Sequence, residues 1–481
     1  MQFGTLLREL IGVSGVNQAD LASALSFSTS ELSKYVGGSR LPSARNIRGL
    51  MGRSALLFSE KIWAQGLTAQ LRSIFPLMHL PKSRAELTVF LRHALSLSYR
   101  ESKIASQEWT EGLNTLNMVL SGWEEIYHHL LISLSFAIRA REDDLHIYFT
   151  LGFFLAFIRN SPLPFPTAGA GKVHVHVLLD EKSKQYQLNW EDLRLWLSHM
   201  ETARKTVSFD AWTTQADLGT QSFCFLEGAF VVLLNGLVPS SPIGVRMEDT
   251  RFLMEFGLLN RHLINTPLSH NRDEALSMIQ QDADSLLEML SLCQGIYSFG
   301  NFGFLAKPHH LDSAQAPGEL KAFLAQAAGI LMRRPVPMLI SIAAVDHFSS
   351  QSGTLMPLIG WLTFEKADQV NYMASFEQLM DNPAAVRIHL SQHEFPECFM
   401  LALEEGLLIY QPDEAGGAEQ FMLLPRALCG QLFDALNHMV KNETLPLERR
   451  LWSSYIKALP SLSGSLGSYP ASLWAPPVDS V

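Results

Sequence analysis

The sequence predicts a multidomain fold. An N-terminal all-α domain is followed by an α-helical connector and a C-terminal α+β region, whose faint repeat points to two related halves. Three observations carry this. Short capped helical segments fill the first sixty residues. Apolar residues keep a helical spacing as far as residue 158. After the Pro- and Gly-rich stretch from Arg159 to Gly171, Lys172-Val-His-Val-His-Val-Leu-Leu179 alternates with the period of a strand. The boundaries expected are a domain over 1–60, the connector over 61–158 and a linker over 159–171. The two α+β parts are expected over 172–305 and 319–459, and a flexible tail over 460–481.

Length and charge agree with several domains. At roughly 150 residues per domain, 481 residues make about two to four. The 37 Lys and Arg against 47 Asp and Glu give a net charge of −10, which excludes a uniformly basic nucleic-acid coat. Residues 1–53 depart from that average. Arg8, Lys34, Arg40, Arg45, Arg48 and Arg53 face only Glu9, Asp20 and Glu31, a local +3 that leaves −13 for the rest. A basic end on an acidic body implies two jobs.

Four cysteines at 224, 293, 398 and 429 have no C-x-x-C spacing, so they read as buried reduced thiols. Arg8 and Glu9 interrupt the first apolar stretch, which excludes a signal peptide. The longest uncharged apolar run, Ile147–Ile158, is too short to span a bilayer and reads as a buried helix. The expectation is a soluble cytoplasmic protein without a membrane partner.

In chain order, Asn17 is a suitable N-cap for a helix from Gln18 to about Leu25. Leu21, Ala22 and Leu25 form its inner face, and the small Ala22 permits close approach. Ser26-Phe27-Ser28 makes a turn, and Ser28 caps a second helix from Thr29 to Val36. Leu32 and Tyr35 point inward, leaving Thr29, Ser30, Ser33 and Lys34 on the outer side. Gly37-Gly38 ends that helix, Arg40 follows in a loop, and Pro42 prevents extension.

Ser83-Arg-Ala-Glu86 has the spacing of a capping box before Leu87, Phe90, Leu91 and Leu95. Trp109, Leu113, Leu116 and Leu120 repeat that helical stripe. Beyond the linker, helices are expected near 190–204, 249–264, 273–294 and 427–441, with a second break near 306–318. Pro337–Val345 reads as a strand, and Phe399–Tyr410 with Phe421–Leu424 as a hairpin around Asp413–Gly417. The repeat lies in Glu227-Gly-Ala-Phe-Val-Val-Leu-Leu234, followed by Phe256, Leu259 and His262. Its counterpart is Glu405-Gly-Leu-Leu-Ile-Tyr410, followed by Phe433, Leu436 and His438. Apolar strands ending at Asp180 and Asp346 precede them, giving halves of roughly 172–300 and 335–445.

The stretch from Asn17 to Ser43 closely resembles the helix-turn-helix of the lambda repressor/Cro family. The matching residues are Gln18, Leu21-Ala22, Leu25, Ser28, Leu32-Ser33-Lys34-Tyr35, Gly38, Arg40 and Pro42-Ser43. The resemblance covers about residues 3–60. It implies that Gln18 touches a DNA backbone and that Thr29, Ser30, Ser33 and Lys34 lie on the recognition helix, with Arg40 near a phosphate. Two positions depart from the family pattern. Ser26 stands where Gly is usual and requires the left-handed backbone region. Val36 replaces a frequent Glu. Family members usually dimerise on two-fold sites with half-sites about 34 Å apart.

These readings imply a DNA-binding transcriptional regulator, in the simplest case a repressor. Its partners would be double-stranded DNA, a second copy of the chain, and a small-molecule or protein effector. No catalytic, metal or cofactor residues are assigned. His174 and His176 share a strand face but read as ordinary histidines. His389-x-x-x-His393-Glu394 has ligand spacing without an H-E-x-x-H. Asp346-His347 and His309-His310 are bare dipeptides. Thr167-Ala-Gly-Ala-Gly-Lys172 lacks the P-loop spacing, and G-x-S-x-G and G-x-G-x-x-G are absent. The competing expectation is an effector enzyme within 172–459, or an interaction scaffold, which the N-terminal domain only tethers or autoregulates.

Overall fold

The computed structural model describes residues 1–106, 118–140, 143–160, 173–180, 187–203, 207–214, 222–235, 242–264, 266–300, 308–311, 316–351, 353–380, 386–393, 395–412 and 419–462. The chain forms two compact units, Met1–Ser269 and His270–Val481.

The first unit begins with α1 (Phe3–Ser14), α2 (Gln18–Leu25), α3 (Thr29–Val36) and α4 (Ala44–Ala64). A 3-10 turn, Leu67–Ser73, leads to α5 (Arg84–Ser106). Phe3, Leu6, Leu7, Leu10, Leu50 and Phe58 are fully buried among these helices. The expected cap of α5 is present, since Glu86 N–H donates to Ser83 Oγ at 3.2 Å. Two ties hold α1. The Met1 amine meets Glu101 Oε2 at 2.7 Å, and Arg139 donates to both Glu9 oxygens at 2.6 and 2.8 Å.

A seven-stranded sheet follows. Its elements are β1 (Met118–Ser121), α6 (Gly122–Ala140), β2 (Leu145–Thr150), α7 (Leu151–Asn160), β3 (Val173–Asp180) and α8 (Trp190–Ala203). Next come β4 (Val207–Thr214), β5 (Ser222–Leu226), β6 (Phe230–Asn235), β7 (Ile243–Met247) and α9 (Thr250–Leu263). The strand order is β1-β7-β6-β5-β2-β3-β4. β2, β3 and β4 are parallel, which demands the crossover helices α7 and α8. The remaining pairs are antiparallel. On one face Phe154 of α7 packs against Trp196 and Phe209. On the other, Phe252 and Phe256 of α9 cover Phe223, Phe225 and Val231.

The second unit repeats this plan. It contains β8 (Ser269–Asn271), α10 (Arg272–Ser291), β9 (Gly295–Phe299), α11 (Pro308–Leu311), α12 (Gly318–Met332), β10 (Pro337–Ser341) and α13 (Ile342–Gln351). A hairpin of β11 (Gly353–Met356) and β12 (Gly360–Thr363) leads to α14 (Lys366–Met380) and β13 (Arg387–Ser391). Then come β14 (Cys398–Ala402), β15 (Gly406–Gln411), β16 (Gln420–Pro425), α15 (Gly430–Asn442), β17 (Leu445–Pro446) and α16 (Arg449–Leu462). The sheet order is β17-β13-β10-β9-β14-β15-β16-β8. Without β17, this is the first sheet strand for strand, with the same parallel trio and the same antiparallel meander.

The repeat seen at Glu227-Gly228 and Glu405-Gly406 therefore marks the same turn in two copies of one topology. Gly406 is required there, because a Cβ would lie 2.0 Å from Leu424 O. The copies are larger than the sequence implied, since each includes an edge strand and helix before its first parallel strand.

Several expectations are corrected. The segment 61–158 is not wholly helical, because it supplies β1 and β2. Leu120 is on β1, while Trp109, Leu113 and Leu116 fall outside the described residues. Ile147–Ile158 is strand as far as Thr150 and helix from Leu151 onward. It looks uniform because central β2 and α7 are both buried on more than one side. The strand at Pro337 ends at Ser341, so Asp346 lies on α13. The hairpin at 399–424 is a three-stranded meander, and Asp413–Gly417 lies outside the described residues. Residues 161–171 of the linker and 463–481 of the tail also lie outside them, while Arg159 and Asn160 end α7 and α16 reaches Leu462.

All four cysteines are buried thiols. Burial pushes Cys293 up to about 11 and Cys429 up to about 12. No helix among the described residues is long and apolar enough to cross a membrane.

Buried imidazoles make the first unit acid-sensitive. Burial, and then His93 and His79, lower His128 to about 4. Burial, and then His146 and His174, lower His176 to about 3. His129 lies well below its ordinary value through burial and then the Arg246 charge. The unfolded chain protonates each near pH 6.5, so from there down to about pH 4 it binds more protons than the fold. Stability is therefore full above about pH 7 and falls with pH, by about 1.4 kcal/mol per unit for each such imidazole. Thermal melts at decreasing pH should show that slope. His128→Phe should remove one imidazole's share of it, and the buried His128 Nδ1 has no hydrogen-bond partner to lose among the described residues. A parent profile that stays level below about pH 6.5 would contradict the account.

Candidate nucleic-acid interface

The two short helices start and stop as their local chemistry requires. Asn17 Oδ1 accepts the Asp20 N–H at 2.7 Å, and Ser28 Oγ accepts the Glu31 N–H at 3.1 Å. Each cap satisfies an otherwise orphaned donor in the first turn. Ser26 closes α2 in the left-handed region, at φ 61 and ψ 38. Gly38 takes the corresponding conformation after α3, at φ 73.

α3 divides cleanly by face. Leu32, Tyr35 and Val36 are buried, while Thr29, Ser30, Ser33 and Lys34 are all exposed. At 100° per residue those four share an arc of about 140°, opposite the buried three. Gln18 is exposed at the first position of α2, and Arg40 is exposed in the loop beyond Gly38. All six residues singled out in the sequence thus face solvent on consecutive elements of one small helical region.

The inner side of α3 fixes this outward face. Phe27 meets Tyr35 edge-on, with ring centroids 5.7 Å apart. The Tyr35 hydroxyl donates to Glu31 Oε1 at 2.6 Å, and burial, then Glu31, push the phenol up to about 12. Glu31 is the acid of this helix, and the hydrogen bond ties its carboxylate back toward the buried side. Arg8 donates to Val36 O at 3.0 Å, placing a cation at the helix carboxyl end. Gly4 permits the contact of α1 with α3, because a Cβ there would meet Tyr35 O at 2.6 Å and Val36 O at 2.9 Å.

Sequence reasoning counted Arg45 and Arg48 only as charge. Both are exposed on α4, immediately after the Pro42-Ser43 turn, so they extend the cationic surface beyond Arg40. Their proximity in sequence to Arg40 was the available signal. Arg53 donates to Gly49 O at 3.4 Å and to Ser26 Oγ at 3.5 Å.

Elsewhere, the parallel register sets His146, His174 and Ser208 in one row and Tyr148, His176 and Asp210 in the next. His146 and His174 stack at 4.7 Å, and Tyr148 and His176 at 4.6 Å. The ring nitrogens are committed to neighbours. His146 Nδ1 meets His176 Nε2 at 3.0 Å, Ser208 Oγ meets His174 Nδ1 at 2.6 Å, and Trp212 donates to His176 Nδ1 at 3.3 Å. Among the described residues, no group of three His, Cys, Asp or Glu is suited to hold a metal ion. His389 lies on β13, and His393 pairs with Glu443 at 2.6 Å.

No protein-family model matches the chain, and no curated protein matches it. Among solved structures it is similar to polyphosphate kinase from Porphyromonas gingivalis, at 10% identity over 77% of this chain, with a TM-score of 0.23. The match spans 63% of that kinase chain. It is also similar to TrmBL2, an archaeal chromatin protein whose structure shows a novel mode of DNA binding. That match has 12% identity over 43% of this chain and 89% of the other, with a TM-score of 0.17. Likenesses this slight define neither fold nor function here.

Three substitutions test the local account by urea melts. Ser28→Ala should destabilise by about 1 kcal/mol through loss of the cap. Gly4→Ala should cost roughly 1–3 kcal/mol, because only backbone lies in the way. Ser26→Gly should stabilise by roughly 0.5–1 kcal/mol by relieving the left-handed strain. The opposite order of effects would refute the described packing.

Proposed function

We propose that the chain is a sequence-specific DNA-binding regulator that reads the major groove with α3. The observation that carries this is the division of α3, four short polar or cationic side chains outward and three large side chains inward. Thr29, Ser30 and Ser33 suit hydrogen bonding to base edges. Gln18, Lys34 and Arg40 suit the phosphate backbone, where they fix register without reading sequence. The resemblance of residues 3–60 to the lambda repressor/Cro helix-turn-helix supports the same assignment.

One such module makes few phosphate contacts, so its own affinity is weak and salt-sensitive. The chain therefore acts as a homodimer in the cytoplasm, on two-fold sites with half-sites about 34 Å apart. The duplicated α+β body supplies dimerisation, effector sensing, or both. Repression by obstruction of polymerase is the simplest outcome.

The test is fluorescence anisotropy with duplex DNA over a range of salt. Lys34→Ala combined with Arg40→Ala should weaken binding and reduce the slope of log affinity on log salt by up to about two. Both side chains are exposed, so the variant should melt like the parent. Parental affinity and slope in the double variant would refute the docking.

A further inference from the structure

Between α4, α5 and α6 lies a cleft of about 420 Å3 within the first unit. Its lining includes Arg48, Arg92, Arg100, His93 and His129. Among the described residues, Glu125 is the only acid in that lining, and its Oε2 already accepts the Ser121 N–H at 2.8 Å. Arg48 and Arg92 are exposed and form no ion pair among the described residues. The lining also includes the apolar Met51, Leu97 and Leu120.

The two histidines are donors rather than charges. Burial lowers both; at His93 the Glu125 charge opposes this, Arg92 adds to it and Glu124 opposes it, while Arg246 and then Arg100 lower His129 further. His129 Nε2 faces the Arg246 guanidinium at 2.5 Å, so the neutral ring carries its proton on Nδ1. A concave site with an excess of cations and an apolar lining concentrates counter-ions. Guanidinium groups match phosphate oxygens in bidentate geometry. The volume exceeds what inorganic phosphate fills and falls within the roughly 300–1,000 Å3 of small-ligand pockets.

We propose that this cleft binds an organic phosphate of nucleoside monophosphate size. Its phosphate lies between Arg48, Arg92 and Arg100, and its body rests on Met51, Leu97 and Leu120. Such a ligand touches α4 through Arg48 and Met51, and α5 through Arg92 and Leu97. Those helices adjoin the elements that hold α3. Tyr99 of α5 donates to Pro42 O at 2.9 Å, and Ser98 and Ser102 bind the start of α1. Occupancy of the cleft thereby biases the placement of α3. This effector role rests on the DNA-binding reading, whereas occupancy itself does not.

The test uses the full chain and AMP, with inorganic phosphate and adenosine as half-probes, read by calorimetry without DNA. AMP should bind, phosphate more weakly, and adenosine hardly at all. Arg48→Ala with Arg92→Ala should weaken AMP by about tenfold or more, and the corresponding Lys pair by less. No heat with AMP, or equal AMP affinity in parent and Ala pair, would overturn the site. So would a loss of DNA affinity in Arg92→Ala alone, without AMP, as large as that of the Lys34 and Arg40 double variant. That result would make the cleft a contact for the DNA backbone. A bound AMP that leaves DNA affinity unchanged would overturn only the effector role.

Discussion

The close approach of α1 to the carboxyl end of α3 is the contact on which the candidate interface depends. It exists because residue 4 is glycine, and any side chain there would strike the Tyr35 and Val36 carbonyls. With α1 in place, Arg8 reaches Val36 O and the large residues of α3 turn inward. The outward row from Thr29 to Lys34 is what remains. α1 is itself fixed at its start to α5 through Met1 and Phe3, and at its middle to α6 through the Glu9–Arg139 pair. The position of α3 is thus coupled to the body through α1 rather than through a flexible tether.

The body is one topology used twice. Each copy places three parallel strands beside a three-stranded antiparallel meander, so each needs crossover helices and a further helix after the meander. The copies differ where function could diverge. The first carries the stacked histidines across β2 and β3, whereas the second has Tyr297 and Leu339 paired there and inserts the β11–β12 hairpin between its last two parallel strands. Duplication explains the size of the body without requiring a second chemistry. The hydrogen-bonded histidine rings act as a structural ladder, with each neighbour satisfying the next.

Much of the interface was legible in sequence because its determinants are local. Asn17, Ser26, Ser28 and Gly38 set caps and turns through their own backbone preferences, and the helix limits follow from them. β3 was legible through strict alternation. β2 was not, because a central strand covered on both faces shows a continuous apolar run that merges into α7. The same ambiguity lengthened the strand at Pro337 into α13. His146 stayed hidden because it stands just before that run, at the start of the unrecognised β2. The cationic cleft was illegible for another reason. Arg48, Arg92 and His129 belong to different helices, and only the packing of α4, α5 and α6 brings them to one cleft.

The claim that most of this account serves is that α3 reads DNA sequence. Selection of bound fragments from a random duplex pool, with the full chain at about 150 mM salt, tests it most directly, since non-specific phosphate binding is then partly screened. The account predicts enrichment of a short two-fold-symmetric sequence, lost when Lys34 and Arg40 are replaced by alanine. A folded chain that enriches no sequence, or enriches the same one after that replacement, would contradict it.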